Sequence, residues 1–296
     1  MLARSHTTEV VIPVLHTATP TQGIHLYLPD HVYHRHDDFC LSSSLARRLS
    51  WSGITPRQFR HEQLYGSPDT DALEFGRAVH SIGLGSGPLV VELKFQNWMT
   101  NLAKQKRLEH RLAGRIPLLP GSFAKAKAMA AEVRAHPALV PLLARGWAEA
   151  SFYSPDPATG LMLRTRPDWL HPTDDDEEVD VVDLKTTDNA DPGEFAWSVL
   201  RYGYHLQRDW YTRVMTALGL RVRRFLFAAV DKHPPHVVSV SELHPGDVDD
   251  FIDAARENRR AIDLYDRCLR SNDWPAHGDG VHRIHLPRTS NRRYRH

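Results

Sequence analysis

The segment "RPDWLHPTDDDEEVDVVDLKTT", Arg166 to Thr187, carries eight acidic side chains and sets a lysine, Lys185, after the last of them. Whether these acids form a solvated turn or hold a metal depends on where they fall on strands. Alternate residues of a strand share a face. Along "VDVVDLK", Val179, Val181, Asp183 and Lys185 therefore point one way, and Asp180, Val182 and Leu184 the other. In the preceding strand, Arg164, Arg166 and Asp168 share a face. If the two strands form a hairpin with its turn centred between Asp175 and Asp176, Asp168 lies directly across from Asp183, with Cβ atoms ~5 Å apart. A shift of register would undo that pairing. Like charges so placed are destabilising unless something compensates. A divalent cation is the natural compensation, with Lys185 beside it. Asp174 to Glu178 then form the turn, where carboxylates cost little. The plain alternative is a pair of exposed edge-strand residues, and for a lone Asp-x-Lys it would win. The literal Pro167-Asp168, the spacing of 15 to Asp183 and the branched strand leading into Asp-Leu-Lys favour a site.

The rest of the chain bounds that reading. Its 296 residues suffice for one large domain or two ordinary ones, and an apolar share of 41% for a packed core. A formal net charge of +1 gives no bulk basic signal, so any nucleic-acid surface must come from local clustering. Two cysteines, Cys40 and Cys268, cannot by themselves build a four-thiolate zinc or iron–sulfur site, nor do they suggest a secreted disulfide framework. The start has too short and interrupted an apolar stretch for a signal peptide, and no window approaches the roughly 20 apolar residues of a membrane helix. A cytoplasmic protein with no membrane partner is expected.

Residues 1–27 read as an irregular lead-in, with a short strand at "EVVIPVL". Three helices follow: "LSSSLARRLS", capped within its serine cluster; "TPRQFRHEQL", with Thr55 as cap and Pro56 at the first helical position; and "TDALEFGRAVHSIGLG", closed by Gly83 and Gly85. A basic stretch, 97–115, leads to a long helix broken at Pro137. From Glu149 the period changes. "EASFYS", "LMLRTRPDWL" and "VDVVDLKTT" read as strands separated by turn chemistry, then a long helix runs from about Pro192 to Leu218. "VRRFLFAAVD" and "HVVSVSEL" read as two more strands, and 247–271 as an amphipathic helix. The expected fold class is α/β: a mixed central sheet flanked by helices, with a helical N-terminal elaboration. The division is a single domain over 28–287, helical in 28–147, α/β in 148–245 and closed by 246–287, followed by a basic tail at 288–296.

These residues resemble the PD-(D/E)XK nucleases, whose fold is restriction-endonuclease-like. Within them, "VVDLKTTDNADPGEFAWSVLRYGYHLQRDWYTRV" resembles the RecE family, the exodeoxyribonuclease VIII type, in which Asp-x-Lys-Thr-Thr is followed by a helix bearing Tyr-His-x-Gln and a further tyrosine. "LPDHVYHRHDDFCLSSSLARRL", "EFGRAVH" and "NDWPAHGDGVHRIHLP" resemble other segments of that family, so the resemblance spans about Leu28 to Pro287. The "WSG" at 51–53 and the basic tail have no counterpart in it.

The resemblance implies a Mg²⁺-dependent exonuclease, with Mn²⁺ able to substitute and no iron–sulfur cluster. It acts 5′ to 3′ on linear double-stranded DNA and leaves 3′ overhangs for recombination by single-strand annealing. Relatives form ring-shaped homo-oligomers, hand the strand to a RecT-like annealing protein, and are of phage or prophage type. Asp168 and Asp183 become the metal ligands, joined by the Leu184 carbonyl, His80 and Glu149. Lys185 becomes the group that assists the attacking water, with Gln207 and Tyr211 steadying it or touching DNA. Tyr204, His205, Arg164 and Arg166 become candidate DNA contacts. Each has a structural rival: a packed core tyrosine for Tyr211, a satisfied histidine for His80, a surface acid for Glu149, an internal ion pair for the arginines. Two other readings stay open: a RecB-like nuclease of the same fold, and a DNA-binding or assembly module without catalysis.

Overall fold

The computed structural model describes residues 19–66, 70–175, 177–244 and 246–283. The lead-in strand expected at "EVVIPVL" and the basic tail lie outside these residues. The first half of the chain contains β1 (Gly23–His25), α1 (Asp30–Tyr33), β2 (Cys40–Ser42), α2 (Ser43–Ser50), α3 (Pro56–Tyr65), α4 (Asp71–Leu84), β3 (Val90–Glu92), α5 (Asn101–Leu112), β4 (Ile116–Leu118), α6 (Pro120–Ala135) and α7 (Val140–Leu143). The second half contains β5 (Trp147–Ala148), β6 (Ser151–Pro155), β7 (Met162–Thr165), β8 (Trp169–Pro172), β9 (Glu178–Thr187), α8 (Pro192–Tyr202), α9 (Tyr204–Thr216), β10 (Arg221–Asp231), β11 (Val238–Glu242) and α10 (Val248–Ser271).

The helix starts follow local chemistry. Thr55 and Gln58 exchange hydrogen bonds in a capping box, with Pro56 at the first position of α3. Ser42 Oγ accepts from the Leu45 amide at the head of α2. Gly85, at φ 68°, closes α4 in the left-handed region that glycine adopts without strain.

Five strands form the central sheet in the order β11-β10-β9-β8-β5. β9 and β10 run parallel, so the chain must cross over between them, and α8 and α9 make that crossing. The period-2 pattern of β9 is realised on both faces. Val179 and Val181 join Phe225, Phe227, Trp210, Val214 and Met215 in one core, which α9 covers. Val182 and Leu184 join Leu226, Ala228, Ala78, Val79, Met129 and Val133 in the other, covered by α4 and α6. Fully burying a side chain such as Phe227 or Leu184 stabilises by about 1.5–3 kcal/mol. A second sheet has the order β1-β6-β7-β2, and β3 pairs in parallel with β4. Among the described residues no helix is long and apolar enough to cross a membrane.

Three expectations are corrected. The stretch "LMLRTRPDWL" is two strands: β7 belongs to the four-stranded sheet and β8 to the central one. Between them the chain bends at Arg166–Asp168, where Pro167 donates no ladder hydrogen bond. Arg164, Arg166 and Asp168 therefore do not share the face of one strand. The helix from Pro192 to Leu218 is two helices, broken at Gly203 (φ 65°), where a Cβ would lie 3.2 Å from both Leu206 Cδ1 and Trp51 Cδ1. The first half also contains short strands that the helical reading did not include.

A β-bulge in β10 falls between Val222 and Arg224. Consecutive strand residues normally face opposite ways, and the extra residue, Arg223, breaks that alternation. Both guanidiniums consequently reach the buried Asp180 carboxylate, with contacts of 2.8 and 2.5 Å from Arg223 and 3.2 and 2.5 Å from Arg224. Burial alone would raise this carboxyl, but the two arginines outweigh it and bring it down to about 2. A depressed carboxylate stabilises the fold above its unfolded value of 3.8, and that contribution is lost as pH falls through the folded value. Urea midpoints of the wild type should therefore drop between about pH 4 and pH 2 by an amount worth about 2 kcal/mol that Asp180→Asn lacks. Parallel pH profiles for the two proteins would refute this.

Candidate active site

The site lies at the end of the central sheet, between a helix from each face. Residues of β8 and β9 pair as Trp169 with Val182 and Leu170 with Val181, the register in which Asp168 falls level with Asp183. Asp168 sits just before β8 and is held on several sides. Its carbonyl accepts from the Glu149 amide at 3.1 Å, and its Oδ2 accepts from the Leu184 amide at 2.6 Å. His80, on α4, places Nδ1 3.2 Å from the same Oδ2. Tyr211, on α9, donates its hydroxyl to the Arg166 carbonyl at 3.2 Å and so supports the bend from beneath.

Asp183 is 2% exposed. Its Oδ1 accepts from Gln207 Nε2 at 2.7 Å. Its Oδ2 forms a close ion pair with Lys185 Nζ at 2.5 Å. The ammonium also donates to Gln207 Oε1 at 3.1 Å and sits 4.4 Å from the centre of the Tyr204 ring. Gln207 thus gives its amide nitrogen to the carboxylate and its oxygen to the lysine, as the two ends of a carboxamide require. Tyr204, Gln207 and Tyr211 occur at i, i+3 and i+7 of α9 and so share the helix face turned to the sheet.

The two carboxylates are electrostatically unlike. Burial raises Asp168, but the His80 charge and hydrogen bond, with Lys185 and the Leu184 amide, leave it below the usual carboxylate range. Burial raises Asp183 too; Lys185 works against this and the Asp168 charge adds to it, leaving the carboxyl above that range. Burial disfavours the charged imidazole of His80, yet Asp168 beside it holds the group above the usual histidine range.

Other candidates are placed elsewhere. Glu149 stands between β5 and β6 at φ 55°, a left-handed conformation that is strained for a non-glycine residue. Its Oε2 accepts from Ser86 Oγ at 3.1 Å, and burial raises its carboxyl despite Arg166 and Ser86. Only its backbone meets Asp168 through a hydrogen bond. Arg164 and Arg166 are buried and turn toward the N-terminal segment, not to solvent. Arg166 bonds Ser151 Oγ, Asp30 and the Leu28 carbonyl and lies 4.0 Å from the Tyr33 ring; Arg164 bonds the Arg35 carbonyl and lies 5.0 Å from that ring. Their expected reach to phosphate gives way to the internal alternative. His205 is likewise buried, packed edge-on against Trp51 at 5.3 Å, and away from the Lys185 face. "WSG", which had no counterpart in the resemblance, proves to brace the helix break: Trp51 Nε1 donates to the Leu200 carbonyl, beside Arg47 of α2, which donates to the Tyr202 carbonyl.

A family model for a PDDEXK-like domain of unknown function matches residues 57–286, well over half of the chain. The chain belongs to this PDDEXK-like family. The fold is accordingly the restriction-endonuclease-like α/β core expected from the sequence. A crystal structure named "Putative exonuclease" from Eubacterium rectale is similar at 14% identity with a TM-score of 0.60, covering 88% of this chain and 97% of that one. A second, of SSO0001, covers 83% and 82% at 12% identity, with a TM-score of 0.37, too low to inform the fold. No curated protein matches the sequence.

PDDEXK nucleases generally use divalent metals. Among the described residues no three His, Cys, Asp or Glu side chains converge as a ready metal cluster. The donors nevertheless suit a hard cation: two carboxylates brought level by the β8–β9 register, that of Asp183 almost fully buried. Asp168 and Asp183 would hold it.

Proposed function

We propose that the chain is a Mg²⁺-dependent DNA exonuclease of RecE type, degrading linear duplexes 5′ to 3′ and leaving 3′ overhangs for single-strand annealing. One observation carries the reading: Gln207 and Tyr204 hold the Lys185 ammonium beside a buried carboxylate that lies level with Asp168. A binding module has no need to bury such a pair, whereas phosphodiester hydrolysis needs a cation and a positioned ammonium at one phosphate. A divalent cation supplies charge stabilisation at the scissile phosphate and eases deprotonation of the attacking water. Mn²⁺ would substitute, because it takes similar ligands. Water adds to phosphorus and the P–O3′ bond breaks, giving a 5′-phosphate and a 3′-hydroxyl. Lys185 orients the water and offsets charge on the phosphorane; Gln207 and Tyr211 are positioning residues. The Leu184 carbonyl and His80 extend the proposed ligand set; Glu149, whose carboxylate turns to Ser86, would join only by swinging toward Asp168. A ring-shaped homo-oligomer, a RecT-like annealing partner and a cytoplasmic, phage or prophage setting go with the same reading, and the "Putative exonuclease" fold neighbour is consistent with it.

End-labelled linear duplex DNA tests it. With Mg²⁺ or Mn²⁺, 5′ label should appear first as mononucleotide, 3′ label should persist in long single strands, and covalently closed circles should resist. Cleavage of closed circles as fast as linear DNA would replace the reading with an endonuclease. Complete inertness with both metals would overturn it.

A further inference from the structure

Beside the site, a cleft of ≈ 280 Å³ opens from Lys185 and Tyr204 along α8 to Trp197, Arg201, Tyr202 and Lys232. Trp197 is 67% exposed and Tyr202 53%, large aromatic surfaces that a soluble core would cover. Tyr202 continues a row that starts at Lys185, and Trp197 lines the same cleft farther along α8. Lys185 Nζ sits 4.4 Å from the Tyr204 ring, and the Tyr204 and Tyr202 rings lie 5.7 Å apart with planes 32° from one another. The end of α8 is fixed in place, since Arg47 and Trp51 on and beside α2 bond the Tyr202 and Leu200 carbonyls. Such a platform is preorganised, so a ligand loses little by ordering it.

Charge identifies what the platform would take. Lys185 is paired with Asp183 and Lys232 with Asp188 at 3.1 Å, while Asp188 and Glu194 also line the cleft. A ligand held by phosphates alone would meet these acids. One that presents flat apolar faces, with a backbone passing the Lys185 end, is complementary to it. We propose that the cleft binds unpaired nucleotides of the substrate strand next to the scissile phosphate, by stacking bases on Tyr202 and Trp197. This rests on the nuclease reading for the identity of the strand, but not on turnover. Base–aromatic stacking tolerates any sequence, as a non-specific exonuclease requires.

Fluorescence anisotropy with a short oligothymidylate in EDTA tests the proposal, with an abasic oligomer of equal length as the comparison. Trp197→Ala and Tyr202→Ala should each weaken oligothymidylate binding about tenfold and leave the weak abasic binding unchanged. Trp197→Phe and Tyr202→Phe should retain most of the affinity. Both sites are exposed, and unchanged melting temperatures would confirm folding. The proposal is overturned if the alanine variants bind oligothymidylate as the wild type does, or if the wild type binds the abasic oligomer equally well. It is also overturned if the substitutions change only the sedimentation of the DNA-free protein, which would make the surface a contact between copies. Stacking-dependent binding by a protein inert with Mg²⁺ and Mn²⁺ would support the cleft while sinking the nuclease. Normal exonuclease activity with no effect of the alanines would do the reverse.

Discussion

Lys185→Ala should lower kcat for mononucleotide release from linear duplex DNA by about 10³-fold, with KM changed far less. The ammonium is held by Gln207 Oε1, the Tyr204 face and the Asp183 charge, all within a site where little water competes. A charge fixed in that way acts on the reacting phosphate without reorganising during the step. Lys185→Arg should recover little, because the cradle fits a compact point charge and not a planar fork. The alanine variant leaves Asp183 buried with Gln207 alone, so some loss of stability without metal is expected as well. Melting temperature and DNA binding therefore need to be measured beside initial rates. A folded alanine variant that turns over at the wild-type rate would remove Lys185 from the chemistry.

Gly146→Ala should destabilise the fold by about 3 kcal/mol or more. Gly146 has φ 148°, and a Cβ there would lie 2.2 Å from the Leu170 carbonyl oxygen and 2.7 Å from Trp169 Nε1. Neither group can yield easily. Trp169 Nε1 donates to the Leu142 carbonyl at 2.9 Å, and Leu170 belongs to β8, paired on one side with β5 and on the other with β9. For a chain of 296 residues the melting temperature should fall by roughly 5 °C or more. Gly160→Ala is the comparison: its φ is 78°, but open space surrounds the new Cβ, so only backbone strain of about 1 kcal/mol applies. If circular dichroism shows the two variants melting together, close backbone approach is not what selects glycine at 146.

The central strand was legible because its side chains meet two cores whose chemistry is local to the pattern. Val179 and Val181 on one face, and Val182 and Leu184 on the other, follow from alternation alone. The caps at Ser42 and Thr55 were legible for a similar reason, since each bond spans three residues. Other features were set by distant partners. Nothing within "LMLRTRPDWL" says that its two halves join different sheets; the pairing of β7 with β6 and β2, and of β8 with β9, decides that. A lone glycine within an apolar periodic stretch is compatible with a continuous helix. At Gly203 the neighbours Trp51 and Leu206 crowd the position, and Trp51 comes from the far earlier segment that follows α2. Arg164 and Arg166 had the chemistry of phosphate ligands, and Tyr33 with its flanking carbonyls turned them inward.

The anchoring of Arg166 bears on modularity. Its carbonyl receives Tyr211 from the crossover, while its guanidinium holds Leu28, Asp30 and Tyr33 from the far end of the chain. The residue two places before Asp168 is therefore a rivet between an early segment and the central sheet. Residues 148–245 contain both carboxylates and the lysine, yet excising them as a minimal catalytic cassette would strip one side of that rivet and free the bend. Grafting the acidic hairpin onto another scaffold would fail for the same reason, unless the graft also brought a substitute for residues 28–33.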